Sequence, residues 1–279
     1  MSSLTWPREG ITRVPYALHV DPEIARLESE RIFRGRTWNF LCLEVELPRA
    51  GDFRRVDVGD VPVIVVRGED GVIRAFANRC AHKGATLETR AYGSVREFMC
   101  LYHNWVFDLE GRLASVPFER GVRGQGGMPA TFRKADHGLT ELRVESLNGL
   151  VFGTFSAQTE PLREYLSPPM VANIERVAAK PFKVLGYYSQ FLASNWKLYF
   201  ENATDPYHAT ILHAWATRLK LNRVTAGGAR ICRADGKIKL RKAPKANARL
   251  QVRLAGRQIR ARAVTATHPR QLQSAPSGH

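Results

Sequence analysis

One stretch of the sequence decides how this chain is interpreted: CAHKGATLETRAYGSVREFMCLYHNW, at residues 80–105. It contains two of the four cysteines and two of the eight histidines, spaced as Cys80-x-His82 and Cys100-x-x-His103. Thiolates and imidazoles are both good metal ligands, and two mixed pairs so close together argue against four unconnected buried side chains. The stretch therefore predicts a metal centre held by two short loops.

Two kinds of metal centre fit four such ligands. Structural zinc is one, although zinc sites more often pair Cys with Cys and His with His on each loop. A two-iron cluster is the other, with Cys80 and Cys100 on one iron and His82 and His103 on the second. Neutral imidazoles in place of thiolates make the cluster less negative and raise its reduction potential. The pattern favours a Rieske-type [2Fe–2S] cluster, with zinc as the alternative.

Residues beside the ligands are expected to tune this cluster. Lys83 and Gly84 place positive charge and backbone amides next to the first pair, where they stabilise thiolate and sulfide. Trp105 is expected to cover the loop and limit the access of solvent. Packing of Trp105 under the following hairpin is the simpler alternative, and it is compatible with that role.

Period-two alternation of apolar residues, interrupted by turn signals, predicts several short strands between residues 38 and 156. Two hairpins are expected, turning at Glu110-Gly111 and at Asn148-Gly149. The glycine-rich stretch at 121–127 neither follows a strand nor opens a helix, so it does not match a nucleotide-binding motif.

Helical patterns lie on both sides of this β region. PEIARLESERIFRG, at 22–35, predicts a helix with Asp21 as N-cap. PFKVLGYYSQFLA, at 181–193, predicts a strand, and the segment from Ser194, its expected N-cap, predicts a helix with an apolar face.

The fold class expected is α+β, with a small antiparallel-β domain and a second domain of helices and antiparallel sheet. The expected divisions are an N-terminal helical segment that packs with the second domain (1–37), the cluster domain (38–156), the N-terminal part of the second domain (157–223) and a basic tail (224–279).

The net charge of +16 belongs almost entirely to the C-terminal end. Residues 217–279 contain 16 Lys and Arg, one acid (Asp235) and no aromatic residue, whereas residues 1–216 contain 26 basic and 25 acidic residues. This composition predicts a tail that is disordered or translated out of frame, and we do not expect nucleic acid as a partner. A further β-rich stretch with a late Asp in another downstream reading frame would support the frame hypothesis.

Nothing in the sequence predicts insertion into a membrane. The N-terminus lacks the apolar run of a signal peptide, and no stretch approaches the roughly 18–20 apolar residues of a membrane span. A cytoplasmic location is therefore expected.

A second candidate site lies in ENATDPYHATILH, at residues 201–213. His208 and His213 are five residues apart, so they diverge by roughly 140° on a regular helix and converge only at a break or π-type turn. Two imidazoles with a carboxylate such as Asp205 suit non-haem iron. Histidines near a helix end that pack or face solvent are the alternative.

Taken together, the two constellations resemble the large (α) subunit of Rieske-type aromatic ring-hydroxylating oxygenases. RVPY (13–16), RGQGGMP (123–129) and NWKLYFEN (195–202) are similar to the branch that acts on aromatic acids, the anthranilate, salicylate and terephthalate oxygenases. The resemblance covers residues 1 to about 216.

The resemblance implies that His208 and His213 bind a mononuclear Fe(II), where O2 is activated to hydroxylate an aromatic, carboxylate-bearing substrate. Asp205 would accept a hydrogen bond from a cluster histidine of the neighbouring subunit in a homotrimer, and Glu201 and Asn202 would line the approach to the iron. NAD(P)H would supply electrons indirectly, through a separate flavin reductase or ferredoxin, and a small β subunit could join.

The chain also departs from the family pattern. Lys83 stands where the family usually has Arg, which keeps the charge but loses the planar guanidinium. The family's third iron ligand is a carboxylate far downstream, and Asp235 does not have its surroundings. We therefore expect a truncated catalytic domain with a competent cluster and a defective mononuclear site. An electron carrier without oxygenase activity is the alternative.

Overall fold

The computed structural model describes Trp6, residues 14–205, residues 208, 212 and 213, and the backbone of four strands between 222 and 261. The chain divides into two compact units after Lys197. Asp235 and most of the basic tail lie outside the described residues. No helix in the described part of the chain is long and apolar enough to cross a membrane.

The first unit begins with two short helices, α1 (Ala17–Val20) and α2 (Pro22–Glu28). The Asp21 side chain accepts hydrogen bonds from the amides of Glu23 and Ile24, so the predicted N-cap is confirmed. The helix does not continue regularly to residue 35, because Ser29–Phe33 form a π turn. Ser29 is buried there and donates a hydrogen bond to Asp60, which holds the turn against the sheet.

Ten strands follow and form two antiparallel sheets. The large sheet has seven strands in the order β1-β10-β9-β4-β3-β2-β5, and the small sheet has three in the order β6-β7-β8. Together with the helices they confirm the predicted α+β class. The strands are β1 (Asn39–Leu43), β2 (Asp52–Val58), β3 (Val61–Arg67), β4 (Ile73–Ala77), β5 (Tyr92–Ser94), β6 (Phe98–Met99), β7 (Val106–Phe107), β8 (Leu113–Ser115), β9 (Glu141–Leu147) and β10 (Leu150–Thr154).

The interior strand β3, which lies between β4 and β2, is buried on both faces, which explains its nearly continuous apolar sequence VPVIVVR. Val63 and Val65 face one core, while Ile64 and Val66 face the core that also contains the two cysteines of the loops. Successive side chains of a strand point to opposite faces, so one strand supports two cores. The metal-ligand loops therefore rest on the most buried part of the sheet.

Both predicted hairpin turns are confirmed. Asn148 and Gly149 have φ values of 49° and 83°, the left-handed pair that a two-residue hairpin between β9 and β10 requires. Gly111 has φ 77° in the turn between β7 and β8, and a Cβ there would lie 2.5 Å from the Phe76 ring.

Helices α3 (Leu162–Tyr165), α4 (Pro168–Val177) and α5 (Trp196–Thr204) follow the sheets. The predicted N-cap of α5, Ser194, is wrong: Asn195 accepts the hydrogen bond from the Lys197 amide at 3.1 Å. The start of α5 contacts the N-terminal helical segment. Glu28 accepts hydrogen bonds from Trp196 Nε1 and Lys197 Nζ, at 2.9 and 2.5 Å.

The strand predicted at 181–193 is wrong, since this segment pairs with no strand in the described part of the chain. Its apolar side chains are therefore not held in a sheet, and Leu185, Tyr188 and Phe191 are each about nine-tenths exposed. Tyr187 instead anchors the segment by stacking on Tyr92 and covering the Arg54 guanidinium at 4.3 Å.

Two hairpins occur where the sequence predicted a disordered or out-of-frame tail. Strand β11 (Asn222–Thr225) pairs with β12 (Gly228–Ile231), and β13 (Leu250–Leu254) pairs with β14 (Arg257–Ala261). The expectation of a disordered tail stays a prediction, because most of residues 224–279 lie outside the described residues. The reading-frame hypothesis and the domain divisions at 37, 156 and 223 stay predictions.

A buried asparagine closes the base of the loop that carries Cys80. Asn78 is fully buried, and its Nδ2 donates to the Glu88 carbonyl oxygen at 2.7 Å. Its Oδ1 accepts from the amides of Leu87 and Glu88, both at 3.0 Å. The Glu88 carboxylate in turn pairs with Arg90 at 2.6 Å. These contacts join the two ends of the loop.

We expect Asn78→Ala to destabilise the chain by about 3 kcal/mol, because it leaves two buried amides and a carbonyl without partners. The exposed Asn173, which bonds only Arg176, provides the matched control, and Asn173→Ala should change the free energy of unfolding by less than about 0.5 kcal/mol. Denaturant unfolding of both variants measures the difference. Equal effects of the two substitutions would contradict the stabilising role of the Asn78 hydrogen bonds.

Stability should also depend on pH through Glu88. The hydrogen bond from Arg90 lowers the pKa of the Glu88 carboxyl below 4.5, despite the opposing effect of burial. A lowered folded-state pKa means that the ion pair stabilises the fold above about pH 4.5 and loses this contribution as the pH falls through the folded pKa. Thermal unfolding of the wild type and Glu88→Gln from pH 3 to 7 should show a smaller acid-side decrease for the variant. Parallel curves would exclude this contribution.

Candidate metal centres

The first ligand loop is closed by two backbone hydrogen bonds around Cys80. Its amide donates to the Ala85 carbonyl and its carbonyl accepts from the Gly84 amide, both at 2.8 Å. Gly84 has φ 72°, the left-handed conformation that allows the chain to turn back after His82. The sequence Cys-x-His-x-Gly thus forms a compact turn, here called a knuckle, that carries both ligands.

The second loop repeats this closure with a different sequence. The Cys100 amide donates to the Trp105 carbonyl and the Cys100 carbonyl accepts from the Asn104 amide, again both at 2.8 Å. Asn104 has φ 54° and so takes the place of glycine, as asparagine does more readily than most residues. The two knuckles share one backbone design, although the histidine stands two residues after one cysteine and three after the other.

The knuckles bring the four predicted ligands together, sulfur beside sulfur and imidazole beside imidazole. Cys80 and Cys100 are buried, 4% and 1% exposed, and their thiols are within hydrogen-bonding contact. The His82 and His103 rings are 4.6 Å apart between centroids. Separate pairs of like ligands match two metal atoms better than one, which favours the two-iron alternative over zinc.

The electrostatics of the loops suit ligation by thiolate and neutral imidazole. Burial raises the pKa of the Cys80 thiol, and the amides of His82 and Lys83 oppose this by hydrogen bonding to its sulfur. Burial and the neighbouring His103 and Lys83 lower the pKa of His82, which keeps its ring neutral. His82 Nδ1 is buried without a hydrogen-bond partner, and such a nitrogen is satisfied when it binds a metal. The residues therefore fit a Rieske-type cluster.

The two residues predicted to tune the cluster, Trp105 and Lys83, are both close to the first loop, and Lys83 is part of it. Trp105 is buried and stacks on the His82 ring, with centroids 4.7 Å apart and planes within 8°. The Lys83 side chain is exposed, so its nearest contribution to the site is the backbone amide on Cys80. Sequence reasoning missed the rings that surround these residues: Tyr102, 3.9 Å from the His103 ring, and Phe132 and His137, which both contact Trp105.

In the second unit the candidate iron residues Asp205, His208 and His213 lie close together. Helix α5 ends at Thr204, earlier than the sequence pattern predicts, and the break expected between His208 and His213 lies outside the described residues. His208 Nδ1 lies 3.2 Å from Asp205 Oδ2, and the two histidine rings are 5.5 Å apart. Asp205 thus orients His208 and leaves its Nε2 for a metal, an arrangement typical of ligating histidines.

The remaining candidates of this site lie one turn earlier. Glu201 and Asn202 are exposed on α5, and the Glu201 carbonyl accepts from the Asp205 amide at 2.8 Å. Within the described ranges, no group of three or more His, Cys, Asp or Glu side chains surrounds a single metal position. The second unit therefore presents a pair of histidines and an orienting carboxylate that fit two positions of an iron site.

Comparison with known proteins identifies the family of this chain. Residues 37–125 match the family model of the Rieske [2Fe-2S] domain. The chain is 47% identical to the terminal oxygenase component subunit alpha 2 of terephthalate 1,2-dioxygenase from Comamonas sp. over 84% of its length and 57% of the relative's. It is 48% identical to the large subunit of anthranilate 1,2-dioxygenase from Burkholderia cepacia, over 80% and 53%.

A solved structure of a related oxygenase has a similar fold. Naphthalene 1,2-dioxygenase from Rhodococcus sp., bound to indole, superimposes with a TM-score of 0.65 at 30% identity, covering 76% of this chain and 48% of that one. The chain thus spans about half the length of the relatives it matches.

Substitutions at the two left-handed positions should test the shared knuckle design. No atom lies within 4 Å of a Cβ at Gly84, so Gly84→Ala should cost about 1–2 kcal/mol from backbone strain alone. Asn104→Gly should be tolerated. Gly186→Ala is the matched control, because Gly186 also has open space but no positive φ, and it should be neutral or slightly stabilising. Denaturant unfolding measures all three, and an equal cost at Gly84 and Gly186 would refute the strain argument.

Proposed function

Because the chain belongs to the large subunits of the Rieske-type aromatic ring-hydroxylating oxygenases, we propose that it acts as the oxygenase component of such a system. In this proposal, electrons from a [2Fe–2S] cluster serve to activate O2 at a mononuclear Fe(II), and the product is a hydroxylated aromatic compound. The observation that carries the proposal is the co-occurrence of the paired knuckles with the Asp205–His208–His213 group in one chain.

The chain's own residues would hold the cluster and control its surroundings. Cys80 and Cys100 would bind one iron and His82 and His103 the other, with the two backbone amides at Cys80 stabilising the thiolate. Both cysteines are buried, whereas the imidazoles are partly exposed. Electrons would therefore enter and leave most readily on the histidine side, where the cluster would be nearest to the protein surface and so to a redox partner.

At the second centre, His208 and His213 would bind the Fe(II), and Asp205 would hold the His208 ring in the tautomer with its proton on Nδ1. When bound, this iron supplies the reaction with O2, and the protein supplies binding and orientation. Glu201 and Asn202 would line the approach for substrate. Asp205 would also accept a hydrogen bond from a cluster histidine of a neighbouring subunit.

The substrate and partners belong to the same proposal. Two relatives are named for terephthalate and anthranilate, which supports an aromatic substrate that bears a carboxylate. Their names describe a component and a large subunit, which supports a multi-subunit system. We propose a homotrimer in the cytoplasm, with electrons from NAD(P)H delivered by a separate reductase or ferredoxin, and with room for a small β subunit.

Metal analysis of the purified chain tests this proposal. Both centres together predict about three irons per two sulfides, and the cluster alone predicts two irons per two sulfides. His208→Ala should remove only the third iron, while Cys80→Ala should remove the sulfide and leave the mononuclear iron. Zinc without sulfide would refute the proposal.

Turnover is the second measurement. The wild-type chain is supplied with a reductase, NADH, O2 and either terephthalate or anthranilate, and the product is identified by mass spectrometry. Hydroxylated product that disappears in His208→Ala supports the oxygenase and would refute the expectation of a defective mononuclear site. A cluster at two irons per two sulfides, reduced and reoxidised without product, would show an electron carrier instead.

A further inference from the structure

We propose that His137 is a positioning residue for the [2Fe–2S] site, acting through Trp105 to fix the plane of the His82 imidazole. This inference rests on the proposed function only in that the knuckles hold the cluster. His137 lies outside both ligand loops, 34 residues after His103 in the sequence. Among the described residues, its ring contacts Trp105 and Phe132 and no predicted ligand, so it would act only through these two neighbours.

The argument begins with what holds the His82 ring. Its Nδ1 has no hydrogen-bond partner in the described part of the chain, and a metal bound there would leave the tilt of the ring about the metal–nitrogen bond to be set by neighbouring groups. The residues on either side, Ala81 and Lys83, are exposed and do not enclose it. Within the protein, the face of the ring is covered by Trp105, stacked at 4.7 Å and nearly parallel. The His103 ring meets His82 edge-on at 4.6 Å, so Trp105 is the group that orients the face of the His82 ring.

Trp105 is held in turn by two rings that meet it at steep angles. Phe132 and His137 lie 5.9 and 5.7 Å from it, with interplanar angles of 70° and 71°. They also contact each other at 4.6 Å. Edge-to-face contacts of this kind favour a defined orientation over rotation of the rings. His82, Trp105, Phe132 and His137 thus form one continuous aromatic group.

His137 is itself fixed to the backbone, which distinguishes it from a mobile surface ring. It ends a 3-10 turn, Lys134–His137, and its Nδ1–H donates to the Arg133 carbonyl oxygen at 2.9 Å. The turn is fastened beside β8 by Lys134, whose Nζ donates to the Ala114 carbonyl and to Glu119, both at 3.3 Å. The small sheet therefore positions this turn, and the turn positions the His137 ring against Trp105.

A tilted or mobile His82 would alter both the retention and the reduction potential of the cluster. Outer groups that orient a ligating histidine typically change metal affinity by about 10–100-fold when they are removed. Loss of the stack also admits water beside the histidine side of the cluster. Water favours the reduced form, which carries one more negative charge, so the reduction potential should rise.

Three variants of the full chain test the proposal: His137→Ala removes the ring, His137→Phe keeps an aromatic ring, and Asp136→Ala is the control. Asp136 lies in the same turn, and its exposed ion pair with Arg133 is at 3.0 Å. The measurements are the rate of iron release to a chelator, the electron paramagnetic resonance spectrum of the reduced cluster and its midpoint potential. Thermal unfolding of the cluster-free chains reports on the turn itself.

We expect His137→Ala to release iron about tenfold faster than the wild type, with a broadened spectrum and a higher potential, while its cluster-free melting matches that of Asp136→Ala. His137→Phe should recover part of the wild-type values, because it keeps a ring against Trp105 but loses the bond from Nδ1–H to the Arg133 carbonyl oxygen. The same spectrum, potential and release rate in His137→Ala as in Asp136→Ala would overturn this inference while leaving the proposed function intact. A wild-type chain that binds no cluster would overturn both.

Discussion

The rest of this structure depends on one constraint. Two thiols and two imidazoles must be held together in a largely buried site, although before metal binds there is little attraction between these side chains. Burial raises the pKa of the Cys80 thiol, and burial together with the neighbouring His103 and Lys83 lowers the pKa of His82. Backbone hydrogen bonds meet this constraint. Two hydrogen bonds in each knuckle fix the loops independently of the ligand side chains.

The sheets serve this arrangement by giving both knuckles a rigid base. The core that contains Cys80 and Cys100 is formed on one face of the large sheet and against the small sheet, so both loops rest on one packed layer. Asn78 fixes the start of the first loop to its end through three hydrogen bonds. A buried polar group that is fully satisfied in this way specifies one conformation of the loop. The aromatic group around Trp105 extends the same principle to the ligand rings.

Different forces organise the segment that leads to the second centre. The start of α5 is held by Glu28, which bonds Trp196 and Lys197, and by the edge-to-face contact of Phe33 with Trp196. Between 181 and 193 the chain is held by side chains such as Tyr187 and not by strand pairing. Exposed apolar residues in this segment and on α5 contrast with the closed cores of the sheets.

The sequence by itself predicted the ligand set of the first centre, and it determined the turns of the hairpins and the N-cap Asp21. Each of these depends on neighbours within about five residues, whose chemistry is local. Tertiary structure alone decided that sulfur meets sulfur and that 181–193 does not pair as a strand. It also decided that His137 reaches Trp105. Such outcomes depend on which distant segments meet, because a strand exists only with a partner and a ring stack only with a facing ring.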